Sequence, residues 1–261
     1  MADYIFIRKS RNAISSLAHV VLNLLLAVVS IGATVATGSI LLGLILIVVS
    51  KWRVFAVNHR YWLINLRASL VDFIVGVSLV MLAYAAGTTF LPVHFILMAV
   101  YAIWLIVIKP RSSFTFAIVQ ALIAILIGST ALAVFAAIYD SLLAVAGEFV
   151  IGYAAAYHVL IQSDEEDPSL IALASGLIFS EIAWLSHSWL IIYTFADTGL
   201  CISQLALVLT LLAFAFFQIY NERSKHNGRL KFKYIALPLI FSLLVIAVLL
   251  IGFSQPRFNI H

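Results

Sequence analysis

Long apolar runs with few polar breaks are the feature that most constrains this chain. One of them, residues 114–161, contains no lysine or arginine. A single helix of that length would reach about 70 Å, more than twice the ~30 Å hydrocarbon core of a bilayer. Apolar residues make up 64% of the chain and charged residues only 10%, which is far from the composition of a soluble domain. The composition therefore predicts that the chain folds inside a membrane.

The apolar runs are too long for barrel strands of ~9–11 residues, so they predict helices. We expect an all-α, polytopic α-helical integral membrane protein with nine transmembrane helices. No polar stretch is long enough to form a second domain, so residues 1–261 are predicted to be a single transmembrane domain. The predicted spans are 13–31, 33–50, 68–86, 91–108, 114–136, 141–161, 169–195, 198–220 and 234–253.

The distribution of lysine and arginine predicts the orientation. Cytoplasmic loops of membrane proteins are enriched in these residues. With nine spans and a cytoplasmic N-terminus, every basic residue of the fifteen except Arg257 falls on the cytoplasmic side. The chain has no Asn-x-Ser/Thr glycosylation site, which is compatible with a prokaryotic cell (inner) membrane.

Residues 51–67 are predicted to be an amphipathic interfacial segment on the cytoplasmic side. At 100° per residue, one arc of this segment carries Trp52, Phe55, His59, Trp62 and Leu66. Arginines recur every seven residues to one side of that arc, at Arg53, Arg60 and Arg67. Such a segment anchors a protein at anionic lipid headgroups. The alternative is a binding site for an anionic lipid or a phosphorylated lipid substrate.

Two acidic residues in consecutive predicted spans are candidates for an ion or proton path. Ionisable groups inside a bilayer are costly unless they face protein or water. Glu148 and Glu181 lie at about the same predicted depth on antiparallel spans. If they met, the two carboxyl groups would share a proton, as a proton or cation path requires. In the alternative reading, each glutamic acid is neutral and hydrogen-bonds a neighbouring polar group.

A third acidic residue, Asp72, lies near the cytoplasmic face of the third predicted span. His19 and Asn23 form an i, i+4 pair on the first span at a comparable depth, so an Asp72–His19 contact is feasible. A loop arginine is the partner that this position near the loop favours for Asp72. Gln120 and His158, which are also in the inner half of the membrane, extend the predicted polar path.

The predicted loop 162–168 is acidic and lies on the cytoplasmic side. Pro168 suits the first position of the following helix, and Asp167 or Ser169 suits its cap. We interpret the loop as a solvated, helix-capping connection, with a cation or partner contact as the alternative.

The sequence contains no GxGxxG, Walker, HExxH or Cys-x-x-Cys motif, so we predict no cofactor, no metal and no catalytic residue. Three functions stay open, led by a proton- or cation-linked transporter of unknown substrate. The second is a non-catalytic membrane subunit or scaffold in a complex. The third, an enzyme acting on a lipid-linked phosphate substrate through the three arginines and Asp72, is less favoured. The expected partners are the bilayer and its anionic headgroups, with a homo-oligomer or a membrane protein as alternatives, and no nucleic acid.

Overall fold

A computed structural model of the chain describes residues 2–52, 56, 59–88, 91–138, 141–163, 165, 167–186, 191–195, 198–225 and 232–253. In these ranges the chain forms nine α-helices and a short β-hairpin. The helices are α1 (Ala2–Thr37), α2 (Ile40–Ser50), α3 (Trp62–Ala85), α4 (Leu91–Ile103), α5 (Phe114–Ala136), α6 (Ser141–Leu160), α7 (Pro168–Ser186), α8 (Gln204–Lys225) and α9 (Phe232–Gly252). A 3-10 turn, His59–Tyr61, precedes α3, and a π-helical turn, Trp104–Ile108, continues α4. The hairpin strands are β1 (Ile192–Phe195) and β2 (Leu200–Ser203).

Eight of the described helices are long and apolar enough to cross a membrane. Their outward surfaces carry large apolar side chains, such as Leu142, Leu237 and Ile251, each more than half exposed. Such surfaces are stable only where lipid covers them. The all-α polytopic membrane fold is therefore confirmed.

The remaining helix, α2, is shorter than the predicted second span. The sequence predicts a tight turn in residues 32–38, with the second span starting at residue 33. The chain reverses at Gly38, at the end of that range, with a φ of +61° that only glycine adopts readily, and α1 continues to Thr37. As a result α2 has just 11 residues, or about 17 Å of helix. It covers only about half of a ~30 Å core and ends at Ser50, as predicted, with Lys51 as its C-cap.

The start of α3 also differs from the prediction. The helix begins at Trp62, so residues 62–67 form its first turns and are not the end of a separate interfacial helix. The side chains of Trp62 and Leu66 are exposed there. Helical periodicity alone does not show whether two successive helical segments are joined end to end.

The β-hairpin replaces the end of the predicted seventh span and the start of the eighth. Its strands pair antiparallel, with Ile192 opposite Ser203, and the reversal uses Gly199 at φ +72°. The strand residues are mostly β-branched or aromatic, which favours extended backbone. Their apolar character had suggested that both helices continue through this stretch.

Helix α5 lies at the centre of the bundle and packs against α3, α6 and α8. The tightest crossing joins α6 and α7 through two glycines. A Cβ on Gly176 would lie 2.8 Å from the carbonyl oxygen of Phe149, and one on Gly152 would lie 3.0 Å from that of Ser175. Small residues at this crossing let the two backbones approach.

Candidate functional site: a polar cavity at the cytoplasmic end of the bundle

A partly open cavity of about 420 Å³ lies among the ends of α1–α6 that the basic residues assign to the cytoplasm. Helices α1 to α6 all contribute to its wall. Its polar residues are Asn23, Ser50, Lys51, Ser69, Asp72, Trp104, Lys109, Gln120 and His158. A cavity with this many polar groups is unusual in a chain that is 64% apolar, and it is the candidate functional site.

Asp72 is the anchor of the cavity wall. One carboxylate oxygen accepts a hydrogen bond of 2.9 Å from Nε1 of Trp104. The other oxygen forms ion pairs with Lys51 and Lys109, the latter with an N···O distance of 2.6 Å. Two lysines therefore share one carboxylate, and this cluster carries a net charge of about +1 when both are protonated.

The π-helical turn explains why Trp104 and Lys109 both reach Asp72. In an α-helix, residues five apart point about 140° away from each other. In a π-turn the hydrogen bond joins residues i and i+5, which brings them to the same side. Such a bond runs from the amide of Lys109 to the carbonyl of Trp104, at 2.9 Å. The extra residue in the turn thus builds this part of the site.

The lysine of α2 is poorly solvated, and its charge depends on pH near neutrality. The side chain of Lys51 is only 13% exposed. Burial, and then the positive charge of Lys109, lower the pKa of Lys51 to about 7. Burial also lowers the pKa of Lys109, although its side chain is 43% exposed.

The side chain of Gln120 on α5 connects neighbouring parts of the cavity wall through hydrogen bonds. Its amide nitrogen donates to the carbonyl oxygens of Ile108 and Arg111, at 2.8 and 2.9 Å. Its amide oxygen lies 2.7 Å from Nε2 of His158 on α6. The side chain thus pairs two backbone carbonyl groups in the segment that follows α4 and also holds His158 at the cavity.

The structure corrects the predicted partners of Asp72. His19 is exposed on α1 and is not among the residues that line the cavity, and the described contacts of Asp72 do not include it. The cations beside Asp72 are lysines rather than the loop arginine considered above. Sequence-based depth places all of these residues near one level but does not show which helix faces are opposed.

Glu148 and Glu181 do not form the pair that a shared proton would require, and Glu148 instead hydrogen-bonds a neighbouring polar group, as in the alternative reading. Glu148 is fully buried, and its Oε2 accepts a 2.8 Å hydrogen bond from Ser129 on α5. Glu181 is exposed on α7. The matched depths predicted for these residues do not bring them together, because Glu148 faces α5 whereas Glu181 lies on the exposed surface of α7.

The three predicted lipid-contacting arginines are only partly described. Arg53 lies outside the described residues. Arg60 and Arg67 are exposed at the start of α3, where lipid headgroups can reach them. The guanidinium of Arg67 also lies 5.9 Å from the ring centroid of Tyr157 on α6.

The acidic loop 162–168 contacts the end of α8. Glu165 accepts a hydrogen bond from the hydroxyl of Tyr220, which lies 2.9 Å from the hydroxyl of Ser163. Helix α7 begins at Pro168, as the sequence predicts. Asp164 and Glu166 lie outside the described residues.

The three residues that contact the Asp72 carboxylate were not among the predicted site residues: Lys51, Lys109 and Trp104. The two lysines had served only to orient the chain, and each follows directly after an apolar run. That position carries a signal, because a lysine at the end of a span can turn its amine back toward the protein. Nothing in the sequence around Trp104 indicates a π-turn.

The fold and the cavity define the class of this chain: it is a multi-pass α-helical integral membrane protein with a polar cavity at one end of the bundle. Comparison of the chain with protein-family models, with curated proteins and with solved structures finds no match.

Proposed function

We propose that this protein transports a small anionic solute, which binds in the cavity from the cytoplasmic side. The main observation in support of this proposal is the cluster in which Lys51 and Lys109 share Asp72 inside a cavity of about 420 Å³. Two amines with one carboxylate leave positive charge and donor capacity unused. A carboxylate or phosphate group of a solute is the complement of such a cluster.

The short second helix supports a transport role. Helix α2 has only 11 residues, and Lys51, at its C-terminal end, lines the cavity together with Asn23 of α1. Helices that end at the substrate are a recurring feature of secondary transporters.

The interior beyond the cavity supports an inward-open state. Toward the opposite membrane face, α3 and α5 continue with fully buried apolar side chains such as Val75, Leu79 and Ile125. This packing separates the cavity from the other side of the membrane. In a transporter, the substrate site opens to the two sides of the membrane in turn. A site that is open to the cytoplasm and closed to the other side is one of these two states.

The geometry around Asp72 gives less support to the lipid-phosphate enzyme. A general acid or base needs a proton that it can exchange with substrate. The Asp72 carboxylate is already engaged by Trp104, Lys51 and Lys109, and so acts as an anchor for cations.

Neutralising both lysines tests the proposal. The protein in detergent would be titrated with phosphate, sulfate, acetate and succinate, with thermal stabilisation as the readout. The best anion would then be followed as a radiolabel in proteoliposomes. We expect Lys51→Met/Lys109→Met to weaken binding at least ~10-fold and to abolish uptake, because each charged hydrogen bond contributes about 1.5–3 kcal/mol.

The matched control is Arg111→Met, which removes an exposed positive charge just beyond the cavity. The guanidinium of Arg111 lies 4.5 Å from the ring centroid of Phe116, so its loss does not alter the cavity wall. Wild-type affinity is expected for this variant. Equal loss in both variants would mean that bulk surface charge, not the cavity, attracts the anion.

Anion affinity is expected to fall as pH rises through about 7. The lowered pKa of Lys51 means that the protonated amine is present below this pH and is lost above it. Because a bound anion favours the charged amine, binding at pH 7.5–8 should take up a proton. Calorimetry in buffers of different ionisation enthalpy measures this uptake. No proton uptake in the wild type, or the same proton uptake in Lys51→Met, would contradict the assignment of this proton to Lys51.

A further inference from the structure

The most isolated ionisable group in the described part of the bundle is Glu148. The residue has no exposed surface, and its Oε1 has no hydrogen-bond partner among the described residues. Its Oε2 has a single described donor, the hydroxyl of Ser129, which is also fully buried. A carboxylate that ionises here has one neutral hydrogen bond to stabilise its charge.

The neighbouring helices place no cation against this carboxyl group. Helix α5 contains no ionisable side chain. On α3, Arg67 contacts Tyr157, Asp72 is engaged by the lysines, and Tyr84 packs against Phe135. On α7, Glu181 is exposed. Within the described residues, a proton is therefore the ligand that this group can accept most readily.

Polar backbone and hydroxyl groups connect the depth of Glu148 to the outer side of the membrane. The amide of Ser203 on β2 lies 3.5 Å from Oγ1 of Thr130, the residue that follows Ser129. The end of strand β2 therefore lies at about the same depth in the bundle as the Glu148 carboxyl group. Extended backbone at this depth must be buried or line an aqueous path.

A further buried group lies on the same strand. The hydroxyl of Ser203 is buried and has no hydrogen-bond partner among the described residues. Ser203 contacts Thr130, and Ser129, next to Thr130 in the chain, contacts Glu148, so polar groups connect the end of β2 with the carboxyl group. The cytoplasmic cavity is separated from this site: Gln120 and Ser129 are about 14 Å apart along α5, at 1.5 Å per residue, and apolar residues such as Ile125 fill the space between them.

We propose that Glu148 binds and releases a proton that reaches it from the outer side of the membrane, along the hairpin. We further infer that this proton is the coupling ion for the anion site. The second statement rests on the proposed transport function, whereas the first does not. Helices α5 and α6 carry residues of both sites, so a shared tilt of these helices can open one site while it closes the other.

The first experiment needs no substrate. Infrared difference spectra of the protein in lipid would be recorded as a function of pH. We expect a protonated-carboxyl band that titrates in the wild type, is absent in Glu148→Gln and is unchanged in Glu181→Gln. Ser129→Ala should move the midpoint, because it removes the one described donor to the carboxylate. A band that survives in Glu148→Gln, or a midpoint that Ser129→Ala leaves unchanged, would overturn the proton site.

Outer access is tested with a cysteine at the hairpin. In a Cys201→Ser background, Ser203→Cys would be exposed to a membrane-impermeant thiosulfonate on each side of oriented vesicles. We expect modification only from the outer side. Modification only from the cytoplasmic side, or none from either side, would overturn the proposed path.

Coupling is tested separately in proteoliposomes. Glu148→Gln fixes the neutral state, so we expect it to exchange labelled for unlabelled anion while it loses accumulation driven by a pH gradient. Full pH-driven accumulation in this variant would overturn the coupling. If the wild type transports none of the anions, the transport function and the coupling fail together, and the infrared titration still decides the proton site.

Discussion

Replacing Asp72 by alanine is expected to lower the free energy of unfolding by about 3–5 kcal/mol. The carboxylate is the counter-charge for Lys51, which is nearly buried, and it accepts the hydrogen bond of the buried Trp104 indole. Removing it leaves a desolvated charge and a desolvated donor without partners. The half-exposed amine of Lys109 loses less, because it can turn to water.

Thermal unfolding in detergent and titration with denaturing detergent would measure this loss. Asp72→Asn keeps an acceptor for Trp104 and should lose less stability than Asp72→Ala. Adding Lys51→Met to Asp72→Ala should recover part of the loss, because the unpaired charge is then gone. If the double variant is no more stable than Asp72→Ala, the two residues are not energetically coupled and the ion pair is not the source of the effect.

Placing methyl groups at the α6–α7 crossing is the second change with a large expected effect. Gly152→Ala/Gly176→Ala would push a Cβ against backbone carbonyl oxygens on both helices, at 3.0 and 2.8 Å. Backbone cannot move aside as a flexible side chain can, so the helices must separate. We expect a loss of about 2–4 kcal/mol after allowing for the higher helix propensity of alanine. Thermal unfolding in detergent is again the measurement.

The matched control is Gly32→Ala/Gly252→Ala, which adds the same two methyl groups to helices. A Cβ on Gly32 would meet only Met98, at 3.8 Å, and one on Gly252 would meet nothing within 4 Å. This variant should be as stable as the wild type or more stable. Equal losses in both double variants would show that glycine flexibility, rather than close packing, is what these positions require.

The coarse fold was predictable from the sequence because each span has to satisfy the bilayer on its own. A stretch in lipid must be apolar and helical along its whole length, whatever its neighbours are. That local requirement predicts α5 (Phe114–Ala136) at its observed bounds and places the starts of α6 and α7 within one residue. The same requirement explains why uniformly apolar stretches mislead, since α2 is shorter than predicted and residues 192–203 form a hairpin.

The site was not predictable in the same way. Depth along a span follows from residue number, and it placed Asp72, Gln120 and His158 at a similar level; the structure brings all three to one cavity. Which residues touch depends on the rotation of each helix, and a uniformly apolar helix has little periodicity to reveal its rotation. For this reason the matched depth of Glu148 and Glu181 did not show that their side chains face different neighbours.

The sequence by itself thus determined the membrane environment and the helical class, because each depends on one segment and its solvent. Only the tertiary structure decided that α2 begins as late as Ile40 and that a π-turn aligns Trp104 with Lys109. It also decided that two lysines converge on Asp72 while Glu148 stays alone with Ser129. These features depend on helix rotation and on turns that packing between helices stabilises, and no single segment contains that information.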